Sequence, residues 1–129
     1  MLKEFTIKTD KEGIYDITSE VAGVINESKV KEGIVMVYCP HTTASITINE
    51  NADADVKHDL LLGLRCSYPD NKEFRHNEGN SACHLKSSAF GASETLIVKD
   101  GEMILGRWQS IFFCEFDGPR ERKYYVKVV

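Results

Sequence analysis

Arg107-Trp108-Gln109-Ser110-Ile111-Phe112-Phe113-Cys114-Glu115-Phe116-Asp117-Gly118-Pro119-Arg120 is the stretch on which the reading of this chain turns. From Met103 to Phe116 it is rich in aromatic and β-branched residues and reads as one long strand. Strand parity puts Trp108, Ser110, Phe112, Cys114 and Phe116 on one face, expected to be core. Arg107, Gln109, Ile111, Phe113 and Glu115 share the other, where an amide and a carboxylate interrupt an apolar wall. Buried polar groups require partners, so Gln109 and Glu115 are expected either in an inter-subunit hydrogen-bond network or in catalysis. Asp117-Gly118-Pro119-Arg120 then turns the chain, Gly relaxing the backbone and Pro fixing a dihedral.

Working outward, Glu94 to Val98 is expected to pair with this strand as a hairpin around Lys99-Asp100-Gly101, and Lys123 to Val129 forms a last strand. Upstream, Leu2 to Thr9 alternates as a half-buried strand. Ile17 to Ser28 carries Ile17, Val21, Val24 and Ile25 at helical spacing. Ile34 to Cys39 is a nearly continuous apolar run, typical of a strand buried on both faces. After Pro40 and His41, Ser45 to Glu50 alternates again. Asn51 is the expected cap of a helix from about Ala52 to Leu64, striped by Val56, Leu60 and Leu64. Pro69 to Gly79 is polar loop, and a short helix covers Ser81 to Phe90 and stops at Gly91. The mixed order predicts a single α+β domain over residues 1–129, with mixed or antiparallel sheets in a sandwich-like core and two or three helices.

Bulk properties narrow the function. The chain of 129 residues is 42% hydrophobic and 28% charged, an ordinary globular composition. Its net charge of −4 argues against nucleic acid as a partner. No apolar stretch approaches a membrane span, and the start has no apolar signal segment, so cytoplasm is the expected compartment. Cys39, Cys66, Cys83 and Cys114 lack metal-binding C-x-x-C spacing and are expected as free thiols.

The polar residues that folding does not need fall in separated patches. Thr43, Ser45, Thr47 and Asn49 share a strand face with His41, either solvent-facing or the wall of a wet pocket. Glu50, at the strand end, is a base, a ligand or a surface ion-pair partner. Asn80 and His84 are four residues apart, so one helical turn puts amide and imidazole on one face. His41, His76 and His84 together would suit zinc or another transition metal, or an acid–base centre. Arg120, backed by Arg122, has the fork that fits a phosphate, and Lys86-Ser87 offers a second phosphate cradle. His58, between Lys57 and Asp59, reads as surface.

His41-Thr42-Thr43, His76, Asn80-x-x-x-His84, Trp108-Gln109 and Asp117-Gly118-Pro119-Arg120 resemble the YjbQ-like family from about Glu4 to the C-terminus. The resemblance implies a small trimeric α+β protein with a secondary thiamine-phosphate synthase activity, joining a pyrimidine diphosphate to a thiazole phosphate. It also implies that these segments wall one pocket: His41, Asn49, Glu50, Gln109 and Glu115 in catalytic roles, and Thr42, Thr43, Asn80, Trp108, Asp117 and Arg120 in substrate binding. A divalent cofactor is expected, zinc or a similar metal at the histidines and Mg²⁺ with the diphosphate. The partners are a small phosphorylated metabolite and further copies in a homotrimer, with no nucleic acid and no membrane. Two alternatives stand beside this: a metal-dependent hydrolase of a phosphorylated metabolite, and a non-catalytic trimeric metal- or phosphometabolite-binding protein.

Overall fold

The computed structural model describes residues 1–129. In chain order the elements are β1 (Leu2–Lys8), β2 (Gly13–Asp16), α1 (Thr18–Ser28), β3 (Glu32–Tyr38), β4 (Ala44–Glu50), α2 (Ala54–Ser67), α3 (Ser81–Phe90), β5 (Ser93–Lys99), β6 (Glu102–Met103), β7 (Gln109–Glu115) and β8 (Glu121–Val128). They form two antiparallel sheets, ordered β1-β8-β3-β5-β6 and β2-β7-β4. The fold is the α+β sandwich expected from the sequence. No helix is long and apolar enough to cross a membrane.

The main core lies between the sheets. Val35, Val37, Val98, Val126 and Val128 of the larger sheet meet Ile46, Ile111 and Phe113 of the smaller, and α1 adds Val21, Val24 and Ile25. The other face of the small sheet buries Phe112 and Cys114, with Phe116 just beyond, under Leu61, Leu64, Cys83 and Phe90 from α2 and α3. Both faces of β7 are therefore buried, and the larger core takes the Ile111/Phe113 face rather than the Phe112/Cys114 face.

Several boundaries differ from expectation for physical reasons. The stretch from Met103 to Phe116 is two strands, not one. Only Glu102–Met103 pairs with β5, and the chain then leaves for the small sheet. The break is a turn closed by Gln109 N–H on the Gly106 carbonyl at 3.1 Å and by Gly106 N–H on Gln109 Oε1 at 2.7 Å. Asp53, not Asn51, caps α2, accepting from Asp55 N–H at 2.9 Å. β2, which pairs with β7, has no counterpart in the sequence reading.

β3 is not buried on both sides. Val35 and Val37 point into the core while Ile34, Met36 and Tyr38 face outward, Ile34 directly opposite Ile97 of β5. Composition alone could not separate the two cases, because a buried strand and a strand with one uncovered apolar face have the same residues.

Candidate functional site

At one end of the small sheet, where β4 begins and β7 ends, Glu115 is completely buried. Arg122 on β8 grips it bidentately, Nε to Oε1 at 2.8 Å and Nη2 to Oε2 at 2.6 Å. Thr9 Oγ1 donates to Oε1 at 2.6 Å and the Asp117 N–H to Oε2 at 3.1 Å. Burial alone would raise the Glu115 pKa. The Arg122, Thr9 and Asp117 hydrogen bonds outweigh it and hold the carboxyl below its ordinary value. With both oxygens engaged, Glu115 is not placed to accept a substrate proton. It is a positioning residue for what lies around it.

That network orders the loops. Arg122 Nη2 donates to Thr43 Oγ1 at 2.7 Å, fixing the chain after His41. Thr9 Oγ1 accepts from Arg120 N–H at 3.1 Å, fixing the turn after Gly118. Arg122, expected to back Arg120 against a phosphate, is thus spent on Glu115 and Thr43. Gly118 sits hard against the Asp10 backbone carbonyl, where a Cβ has no room, which is why the turn carries glycine.

In front of the network is a pocket of about 330 Å³ lined by Pro40, His41, Thr42, Thr43, His76, Glu78, Asn80, His84, Asp117, Arg120 and Arg122. Apart from the Pro40 ring, no hydrocarbon side chain lines it. The Asp117 carboxylate accepts from Asn80 Nδ2 at 2.8 Å and from Arg120 Nη2 at 3.1 Å, so one acid aims both the amide and the guanidinium. Arg120 Nε is bound to the Asp117 carbonyl at 2.7 Å, yet half of the side chain stays exposed. Asn80 Oδ1 is buried without a partner, an acceptor that a ligand N–H or O–H would satisfy. A depression of about 390 Å³ beside α1, near Ile25, Met103 and Leu105, has only Asn26 and Glu102 as polar side chains and no converging ionisable groups.

All three expected histidines line the pocket, but they do not assemble as a metal centre. His76 and His84 meet edge to face with centroids 5.2 Å apart. His41 Nε2 instead accepts the Lys123 backbone N–H at 2.9 Å, which only an unprotonated nitrogen does. No group of three or more His, Cys, Asp or Glu side chains is arranged to hold a metal ion. The donor set therefore does not fit the zinc expected, and the Asp117 carboxylate that would receive Mg²⁺ is already shared by Asn80 and Arg120. Burial, then the positive charge of Arg122, pushes the His41 pKa below its ordinary value, so the ring is a neutral hydrogen-bonding group.

The remaining expected site residues lie elsewhere. In the β4–β7 register Ala44 faces Glu115, whereas Glu50 faces Gln109 and Asn49 faces Ser110. Six residue steps along a strand separate Glu115 from Gln109, roughly 20 Å. Asn49, Glu50, Trp108 and Gln109 are thus at the opposite end of the small sheet from the histidines. There Trp108 is 53% exposed, the Arg107 guanidinium stands 4.7 Å from its ring centre, and a small hollow of about 190 Å³ opens beside Asn51 and Ser110. Gln109, expected to be buried, is exposed and closes the Gly106 turn. Lys86 and Ser87 do not form a phosphate cradle. Both are buried, Lys86 Nζ lying 3.9 Å from Glu12 and Ser87 Oγ donating to the Ala44 carbonyl at 2.7 Å.

Thr9 and Glu78 belong to the pocket and its support without any sequence signal, since one is an ordinary strand-end threonine and the other an ordinary loop acid.

Comparison with known proteins fits this geometry into a family. The family model described as UPF0047 protein YjbQ-like matches residues 3–129. UPF0047 protein MJ1081 of Methanocaldococcus jannaschii is 56% identical, covering 100% of this chain and 94% of that protein. UPF0047 protein YugU of Bacillus subtilis is 53% identical over 100% of this chain and 99% of its own length. A crystal structure of a YjbQ/UPF0047 family protein from Clostridium acetobutylicum superposes with a TM-score of 0.96 at 47% identity, covering 98% of this chain and 99% of that one. Matched in fold and in sequence from end to end, the chain belongs to the YjbQ-like UPF0047 family.

Proposed function

We propose that the histidine pocket binds the phosphate or diphosphate of a small cytoplasmic metabolite, and that the chain is a transferase of the thiamine-phosphate synthase type with low activity. The observation that carries the reading is the pocket lining. Arg120, held by Asp117 and still exposed, faces the same cavity as three imidazoles and two threonines, with hardly any apolar surface. Such a cavity favours an anion with many acceptor oxygens, and a pre-aimed guanidinium binds it bidentately.

In the reaction, the thiazole ring nitrogen forms a bond to the methylene carbon of the pyrimidine while the carbon–oxygen bond to the diphosphate breaks. Charge develops on the departing diphosphate, so fixed donors facing it lower the barrier. Arg120, His76 and His84 are the donors available, and neutral His41 can hydrogen-bond through Nδ1–H. The homotrimer implied by the family resemblance goes with this reading, supported by the uncovered apolar side chains Ile34, Met36 and Ile97 on the larger sheet.

The test is calorimetry with inorganic pyrophosphate, together with thiamine phosphate formation from the two phosphorylated halves, for wild type and Arg120→Ala. Pyrophosphate binding and turnover that both fall at least about tenfold in the variant, a loss of about 1.4 kcal/mol, support the reading. Binding without turnover makes the protein a phosphometabolite-binding module. Absence of pyrophosphate binding in wild type overturns the anion pocket.

A further inference from the structure

The fixed charges around the histidine pocket leave one acid over. Each guanidinium in the lining already has a carboxylate: Arg122 holds Glu115 at 2.6 Å and Arg120 holds Asp117 at 3.1 Å. No lysine lines the cavity. His41 is neutral, and His76 and His84 carry no fixed charge. Glu78 lines the same cavity and has neither a hydrogen bond nor an ion pair within the chain.

The backbone holds Glu78 at that place. Gly79 N–H donates to the His76 carbonyl at 3.1 Å, closing residues 76–79 into one turn, with Gly79 at φ 73°. His76 on one side of Glu78 and Asn80 on the other both line the pocket, and Asn80 is tied to Asp117 at 2.8 Å.

Asn80 adds a second acceptor. A carboxylate only accepts, so the amide must turn its nitrogen to Asp117 and its oxygen away. That oxygen is buried without a partner, a state that costs stability until a donor reaches it. A bare phosphate has no use for either group, because its oxygens are repelled by a carboxylate and find no hydrogen in an amide oxygen.

We infer that the ligand of this pocket is bipolar: a phosphate ester that also carries an amino group, its phosphate on Arg120 and its amino group on Glu78, with Asn80 Oδ1 as further acceptor. The inference rests on the reading of the pocket as a phosphate site, and it names the second half of what that site recognises. The half-exposed Arg120 guanidinium takes the anion, and the positive end of the ligand cancels the charge that Glu78 leaves over. At about 330 Å³ the cavity is at the small end for a metabolite site, so both groups belong to one compact molecule. Glu78 is then a specificity-determining residue, favouring amino phosphates and repelling phosphorylated acids of the same size.

Calorimetry at neutral pH tests this with aminoethyl phosphate and aminobutyl phosphate, each against the alkyl phosphate in which a methyl group replaces the ammonium. Wild type and Glu78→Gln are compared, with inorganic pyrophosphate as a third probe. Wild type is expected to bind at least one amino phosphate about tenfold or more tighter than its alkyl partner, as a charge-assisted hydrogen bond allows. In Glu78→Gln that preference falls towards parity, while alkyl phosphate and pyrophosphate bind as tightly as before or tighter. Opposite shifts of this kind do not come from a merely loosened fold, which weakens every ligand together. Wild type without an amino preference overturns the inference, as does a Glu78→Gln variant that keeps the preference or loses all ligands equally. Pyrophosphate binding without amino preference leaves the anion pocket standing and sinks this inference alone, whereas wild type that binds none of the probes overturns both.

Discussion

Removing Arg122 while leaving Glu115 in place is the perturbation that tests the site's support most sharply. Arg122→Met keeps much of the side-chain volume but strips three short hydrogen bonds, two from Glu115 and one from Thr43. The carboxylate left behind has no exposed surface and keeps only Thr9 and the Asp117 N–H. Breaking one side of a buried ion pair costs about 3–5 kcal/mol, because the surviving charge stays out of water. Unfolding entropy scales with chain length, so for a domain of this size the loss lowers Tm by on the order of 10–20 °C.

The assay is urea and thermal unfolding at fixed protein concentration, with Glu115→Gln and the Glu115→Gln/Arg122→Met double variant alongside. The double variant is expected to recover most of the loss, because no buried charge remains unpaired. The sign with pH follows from the lowered Glu115 pKa. Its stabilisation is fully present above the unfolded-state value of about 4.3 and is lost as pH falls through the lower folded-state value. Wild type and Glu115→Gln should therefore converge in stability only once pH has fallen below that lowered folded-state value. A loss under about 1 kcal/mol in Arg122→Met, in the range of an exposed pair, would refute the placing of this pair as the buried strut of the pocket.

Gly118→Ala forces a methyl group into the Asp10 carbonyl and should cost about 1–3 kcal/mol as an overpacked site, read by urea midpoint. Asp53→Ala removes the α2 cap and should cost about 1 kcal/mol, with the pyrophosphate affinity unchanged in calorimetry. The imidazole proton shifts of His41 should titrate below its ordinary pKa of about 6.5. The stability linked to that shift is present above the unfolded value and falls away as pH drops through the folded one. A His41 that titrates at or above 6.5 would contradict the neutral ring hydrogen-bonded to Lys123.

Local pattern alone determined a good deal of this protein. Periodicity of 3.6 in Val21, Val24 and Ile25 and of 2 in Leu2 to Lys8 marked α1 and β1, since burying one face of an element imposes its period on the sequence. The Gly91 stop of α3 and the turn at Asp117-Gly118-Pro119-Arg120 were legible because their backbone geometry restricts residue type. The same segments also led to the residues of the pocket: His41, Thr42, Thr43, His76, Asn80, His84, Asp117 and Arg120 all line it.

What only the tertiary structure decided is where along a strand a side chain ends up. Strand parity says which face a residue takes and nothing about which end of the sheet faces it. His41, Asn49 and Glu50 therefore look like neighbours in sequence, yet β4 carries them to opposite ends. Gln109 and Glu115 share a face of β7, but one is exposed in a turn and the other sealed behind Arg122. Whether Ile34, Met36 and Tyr38 are covered depended on the layers above them, and the fate of Lys86 depended on Glu12 arriving from the far end of the chain. Each of these outcomes is set by contacts between residues distant in sequence, and no local period or spacing records such contacts.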